Sequence, residues 1–196
     1  MKLALIKYNA GNIRSISFAL DRLGINYILT ENPEEIRSAD KLIFPGVGEA
    51  STTMNFLRKA GLDIIIPELK QPTLGICLGM QLMCRHSEEH NTDGLNIFDV
   101  PVLKIPAERQ IKVPHMGWNK LHSVKDWLSP ELDNQYVYFV HSYYIPVNVY
   151  TTAQTSYGVA VSAAMRKDNF YAVQFHPEKS AESGIQILKD FLNVSL

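Results

Sequence analysis

The sequence has no surplus of either charge, few cysteines and no long apolar run, and each shortage removes a class of protein. Of 196 residues, 19 are Lys or Arg and 20 are Asp or Glu, for a net charge of −1. Without a basic block the chain lacks the electrostatic footprint of a nucleic-acid or anionic-membrane binder. Only two cysteines occur, Cys77 and Cys84, within one apolar segment. That excludes a disulfide-stapled scaffold and leads us to expect free thiols in a reducing cytosol. No apolar stretch approaches the roughly 18 residues of a membrane span. Leu3–Ile6, bounded by Lys2 and Lys7, is too short for a signal-peptide core. Low-complexity tracts and internal repeats are also missing. What remains is ordinary globular usage, 46% apolar and 20% charged, at a length that fits one domain over residues 1–196.

In the first half, short apolar runs alternate with helical patterns, the signature of a parallel sheet with crossover helices. Strands are expected at Leu3–Ile6, 25–29, Lys41–Phe44 and 73–77. Residues 12–23 set Ile13, Ile16, Ala19, Leu20 and Leu23 on one helical face, with Gly24 as the stop. Further helices are expected over 49–60 and 78–86. Past about residue 93 the texture turns β-rich, with strand candidates at 100–105, 118–121, Tyr136–His141, 149–155, 159–165 and 170–175. A closing helix over 181–192 carries Ile185, Leu188, Phe191 and Leu192 as its stripe. The expected fold class is therefore α/β, a central and mostly parallel sheet flanked by helices, with antiparallel strands added in the second half.

Three motifs could carry chemistry. Gly75-Ile76-Cys77-Leu78-Gly79 lies between an expected strand and an expected helix and fits a nucleophile elbow, whose strained turn tolerates only small neighbours. The helix that follows sets its positive end beside the sulfur, and the Leu78 N–H becomes a candidate oxyanion donor. Alone, the same residues describe a buried Cys in a tight turn. Gln174-Phe175-His176-Pro177-Glu178 ends another expected strand. Pro177 pushes His176 into extended backbone, so that His176 and Glu178 can point the same way, as base and orienting carboxylate. The alternative is an exposed His in a helix lead-in. Pro45-Gly46-Val47-Gly48 closes a third strand, at the sheet end where ligands of open α/β folds bind, and could turn an amide N–H toward a developing oxyanion. It is not a phosphate loop, because no Gly-Lys-Ser/Thr follows. Cys84, His86 and His90 lack a fourth ligand and a zinc spacing, so no metal site is expected, and Cys84 reads as a buried helix thiol.

Together and in this order, the motifs resemble the class I (triad) glutamine amidotransferases, which have a flavodoxin-like fold. Within that family they are most similar to the glutaminase subunits of imidazole glycerol phosphate synthases. The resemblance runs along nearly the whole chain, through Tyr8-Asn9-Ala10-Gly11-Asn12, Pro114-His115-Met116-Gly117-Trp118-Asn119 and Tyr138-Phe139-Val140-His141-Ser142-Tyr143-Tyr144 as well as the three motifs above. It implies a glutaminase without a cofactor, in which Cys77 is the nucleophile, His176 the general acid and base, and Glu178 its orienting partner. Backbone N–H groups of Leu78 and Val47 are the implied oxyanion donors, Val47 after a peptide flip. Gly48, Gln81, Glu89, Ser142 and Tyr143 are the implied glutamine contacts, and His141 is expected to help shape that pocket. His115 and His122 read as structural or interfacial. The family implies a cytoplasmic heterodimer with a (β/α)8-barrel cyclase. The cyclase takes ammonia through an internal channel and makes imidazole glycerol phosphate and aminoimidazole carboxamide ribotide in histidine biosynthesis. Asn12, Trp118, Asn119, Tyr136 and Lys179 are the candidate interface residues, although Trp118 and Tyr136 could equally be core residues of the β half. Two rivals stay open. One is a glutaminase serving pyridoxal phosphate or anthranilate synthesis, and the other is a silent module that kept the fold for complex formation.

Overall fold

The computed structural model describes residues 1–8, 13–107 and 111–195. In chain order its elements are β1 (Leu3–Ile6), α1 (Ile13–Arg22), β2 (Tyr27–Thr30), α2 (Pro33–Arg37), β3 (Lys41–Phe44), α3 (Ala50–Lys59), α4 (Leu62–Glu68), β4 (Thr73–Ile76), α5 (Leu78–Leu82) and β5 (Cys84–Ser87). Then come β6 (Thr92–Asp93), β7 (Phe98–Lys104), β8 (His115–Lys120), β9 (Tyr136–His141), β10 (Tyr143–Tyr144), β11 (Thr151–Ser156), β12 (Ala160–Lys167), β13 (Phe170–Val173) and α6 (Ala181–Asn193).

A seven-stranded sheet in the order β11-β12-β13-β4-β3-β1-β2 forms the centre. The five strands from β13 to β2 run parallel, and β12 and β11 extend the sheet antiparallel. The inner parallel strands β1, β3, β4 and β13 are buried along their length and mostly apolar because both faces are covered, whereas the edge strand β2 leaves Leu29 45% exposed. Leu3 and Leu5 of β1 pack with Ile43, Leu74 and Ile76 against α1 and α6, whereas Ala4 and Ile6 pack with Leu42 and Phe44 against the helices between β2 and β4. A smaller sheet, β10-β7-β5-β6, and the antiparallel hairpin β8–β9 stand at one end.

Several expected boundaries shift. The helix expected over 78–86 stops at Leu82, and Cys84 to Ser87 form strand β5, which pairs with β7 and β6. Cys84 is thus a fully buried strand thiol, not a helix thiol. Pairing partners distant in sequence decide that segment against its helical pattern. Helices α2 and α4 were not expected. Helix α2 has only five residues, too few to show a period, and is held by Asn32, whose side chain accepts from the Glu34 and Glu35 N–H groups, with Pro33 opening the first turn. Gly24 does end α1, at φ +67°.

Candidate active site

Three neighbouring parallel strands, β3, β4 and β13, finish on the same side of the sheet. Each runs directly into one of the three motifs. After β4, Cys77 adopts φ 53° and ψ −106°, a sparsely populated conformation that costs a side-chain-bearing residue about 1–3 kcal/mol. Its N–H donates to the Val173 carbonyl at 2.8 Å, which ties the turn to β13. The turn also packs backbone against backbone on the segment after β3. A Cβ on Gly79 would lie 2.1 Å from the Phe44 carbonyl oxygen, and one on Gly46 would lie 2.4 Å from the Gly79 nitrogen. Glycine is required at both places by close approach.

After β13, His176 keeps the expected extended backbone, but Pro177–Lys179 forms a single 3-10 turn where extended geometry was expected. The turn swings the Glu178 carboxylate back, and its Oε1 lies 2.8 Å from His176 Nδ1, with side chains 1% and 2% exposed. The His176 N–H donates to the Tyr138 carbonyl at 2.9 Å, and its own carbonyl accepts from the Ser180 hydroxyl at 2.7 Å. Burial opposes a charged imidazole here, but the Cys77 sulfur and the Glu178 carboxylate outweigh it and push the group up to about 10. With Nδ1 committed to Glu178, the buried Nε2 is left for proton transfer, and it makes no ordinary hydrogen bond among the described residues.

In front of the sulfur lies a cleft of about 310 Å³ bordered by Val47, Gly48, Cys77, Leu78, Gln81, Glu89, His141, Ser142 and Tyr143. Gln81, one turn into α5, donates through Nε2 to the Tyr143 carbonyl at 2.9 Å and to Gln174 Oε1 at 3.0 Å. Glu89 accepts from the Ala50 N–H at 2.9 Å, and burial pushes its carboxyl up from the usual range. The Leu78 N–H is already taken, donating to the Gly46 carbonyl at 3.3 Å. An elbow cysteine and a buried imidazole–carboxylate pair beside one cleft are the groups that nucleophilic attack on a carbonyl carbon requires.

The family model for glutamine amidotransferase class-I matches residues 4–194. The chain belongs to the class I glutamine amidotransferases. It is 57% identical over 196 residues to the imidazole glycerol phosphate synthase subunit HisH of Bacteroides fragilis (strain YCH46), covering 99% of this chain and 100% of that one. It is 46% identical to the subunit of the same name from Pasteurella multocida (strain Pm70), covering 97% and 96%. The fold is similar to a crystal structure of a glutamine amidotransferase, at TM-score 0.75, 19% identity and 96% coverage of both chains. It is also similar to a chain in the structure of PurLQS from Thermotoga maritima, at TM-score 0.71, 15% identity and coverage of 98% and 97%.

Within this amidotransferase, Val47, Leu78, Gly48, Gln81, Glu89, Ser142 and Tyr143 all border one cleft with Cys77. The expected interface residues divide. Trp118 and Tyr136 are each 52% exposed, so neither is a core residue. They share one face of the β8–β9 hairpin with Met116 and Tyr138, and Lys179 lies over the Tyr138 ring at 5.9 Å. Asn119 is on the opposite face, where its amide donates to the Ser156 carbonyl at 2.9 Å. Asn12 lies outside the described residues. His86 pairs with Asp93 at 2.9 Å, and among the described residues no group of three His, Cys, Asp or Glu is placed to hold a metal. No helix among them is long and apolar enough to cross a membrane.

Sequence reasoning missed two contacts of the amidotransferase site. Gln174, fully buried, turns its Nε2 to the Cys77 sulfur at 3.7 Å. The buried Tyr8 hydroxyl donates to the Pro45 carbonyl and anchors the loop after β3. Gln174 alternates with the core residues of its strand end, and that polar break in an apolar run was the signal available.

Proposed function

We propose that the protein hydrolyses glutamine to glutamate and ammonia and hands the ammonia to a cyclase partner in imidazole glycerol phosphate synthesis. Cys77 thiolate attacks the side-chain amide carbon, and the carbonyl oxygen becomes an oxyanion. His176 Nε2 gives its proton to the departing nitrogen, ammonia leaves, and a thioester to Cys77 remains. The imidazole, now neutral, takes a proton from water, the hydroxide adds to the thioester, and glutamate departs as the thiol is restored. Glu178 keeps the imidazole in the tautomer that this sequence needs. The observation that carries the reading is the His176–Glu178 pair beside the Cys77 elbow, on adjacent strand ends above one cleft.

The oxyanion is received by the Leu78 and Val47 N–H groups. In the resting loop the Gly46 carbonyl occupies the Leu78 N–H. A flip of the Gly46–Val47 peptide withdraws that carbonyl and turns the Val47 N–H toward the substrate. Gln81, Glu89, Gly48, Ser142 and Tyr143 hold the amino-acid end of glutamine.

Free ammonia is protonated in water, so the product needs a receiver. The full-length similarity to subunits named HisH supports a cyclase as that receiver, in a cytoplasmic heterodimer that serves histidine biosynthesis. The exposed face of Met116, Trp118 and Tyr136, next to the Val140 carbonyl that lies 3.8 Å from Cys77 Sγ, supports docking of the cyclase over the site. Lys179 belongs to the same surface, and Asn12 and Asn119 are proposed as further partner contacts. The test is Cys77→Ala in the complex. Glutamine-dependent synthesis is lost while ammonia-dependent synthesis by the partner continues, and glutamine use at the normal rate would overturn the mechanism.

A further inference from the structure

We infer that His115 and His141 are positioning residues of the glutaminase centre, holding Gln81, Gln174 and through them the Cys77 sulfur in register. This rests on the glutaminase reading above. The two imidazoles are buried and bonded to each other, His115 Nδ1 to His141 Nε2 at 3.0 Å. His141 Nδ1 lies 2.7 Å from the Tyr143 carbonyl, which also accepts from Gln81 Nε2 at 2.9 Å.

A carbonyl can only accept, and that fact fixes donor and acceptor along the whole chain. On one side His141 must carry its proton on Nδ1. Burial keeps both rings neutral, His115 near 4 and His141 near 3. The His141 Nε2 is therefore an acceptor, and His115 donates to it from Nδ1. His115 Nε2 is then an acceptor too, with the Asn119 amide 3.5 Å away. On the other side the Gln81 atom on Tyr143 must be nitrogen. Its second hydrogen goes to Gln174 Oε1 at 3.0 Å, which leaves the Gln174 amide nitrogen facing Cys77 Sγ at 3.7 Å. Both Gln81 hydrogens are thereby committed, and its carbonyl oxygen is the atom left for the cleft that the side chain lines.

Packing alone does not call for imidazole at 115. The ring is stacked between Phe139, at 4.8 Å, and Tyr157, at 3.9 Å, where a phenyl group would fit without needing a partner. The polar pair earns its place through the carbonyl it orients.

The experiment measures glutamine hydrolysis and ammonia-dependent synthesis in the complex with the cyclase, for wild type, His141→Leu, His141→Asn and His115→Phe. Removing a neutral hydrogen bond from this chain lowers glutamine kcat/KM roughly three- to tenfold in His141→Leu and His115→Phe. His141→Asn, whose amide reaches from the position of Nδ1, recovers most of the loss, and ammonia-dependent synthesis is unchanged in all three. Rescue by Asn is the readout that a packing role would not produce. If His141→Leu does not fold, His115→Phe carries the test. Variants within twofold of wild type, or no advantage of Asn over Leu, overturn the inference while wild-type hydrolysis leaves the glutaminase reading standing. Wild-type protein that does not hydrolyse glutamine overturns both.

Discussion

Replacing Gly79 by alanine puts one methyl group where the backbone of β3 already is. The new Cβ would sit 2.1 Å from the Phe44 oxygen and 3.1 Å from its carbon, and real Cβ atoms do not come within 3.0 Å of another heavy atom, so the two segments must part by about 0.9 Å. Neither side yields easily. Phe44 ends a central strand paired to Gly75, and the Gly79 carbonyl accepts the Met83 N–H within α5. Overpacking of this kind costs about 1–3 kcal/mol, and the absence of any flexible side chain at the contact puts Gly79→Ala at the upper end. The displaced helix carries Leu78 and the elbow, and a misplacement near 1 Å in a catalytic site lowers turnover about 100-fold. Gly24→Ala is the control, with nothing within 4 Å of the added Cβ and only φ +67° to oppose it. It loses about 1 kcal/mol and no activity. Urea unfolding followed by circular dichroism, paired with glutaminase rates in the cyclase complex, separates the two. A Gly79→Ala protein with the wild-type midpoint and turnover within twofold would refute the packing argument.

The two thiols differ in exposure, and alkylation reads that difference. Cys84 is 0% exposed, with burial pushing its thiol up, whereas Cys77 borders the cleft, so iodoacetamide labels Cys77 first and Cys84 only on unfolding. Equal labelling of the native protein by mass spectrometry contradicts this. Stability has an acid limb from His115 and His141. The unfolded chain binds protons on them at an ordinary imidazole pKa near 6.5, while the folded chain resists until about 4 and about 3, so their contribution is present above pH 6.5 and lost as pH falls. His176 acts with the opposite sign, its contribution full below pH 6.5 and lost as pH rises through about 10. Urea midpoints between pH 4 and 10 check both limbs, and an acid limb of the same slope in His115→Phe rules out the histidine assignment. Trp118, 52% exposed at the centre of the hairpin face, is the expected anchor for the cyclase. Trp118→Ala weakens association by about 2 kcal/mol with an unchanged melting temperature, and titration calorimetry showing wild-type affinity would remove it from the interface.

The Cys77 turn and the His176–Glu178 pair were legible because their parts are local. Two glycines around Cys77 announce a tight strand-to-helix turn, and a proline after His176 fixes which way the next carboxylate can reach, although by a 3-10 turn in place of extended chain. The inner parallel strands were legible for a related reason, since strands buried on both faces read as nearly continuous apolar runs. Strand β5 was not, because Cys84 to Ser87 continue the helical spacing of the preceding residues and only pairing with β7 makes them a strand. The His115–His141 bond depends on the register of β8 against β9, 26 residues apart, and nothing in either segment states that register. Gln174 could be seen as a polar residue at a strand end, but its partners Gln81 and Cys77 come from another element.

In the proposed mechanism, the bond from the Leu78 N–H to the Gly46 carbonyl makes the resting backbone a competitor of the transition state. This competitor is part of the chain, so its effective concentration never changes, and glutamine cannot dilute it. Saturating substrate fills the cleft and still meets an occupied donor, which confines the penalty to kcat and leaves KM almost untouched. On that reading abundant glutamine alone does not free the donor. On the same reading only an event that turns the Gly46–Val47 peptide releases the donor, which would tie glutamine use to whatever turns that peptide.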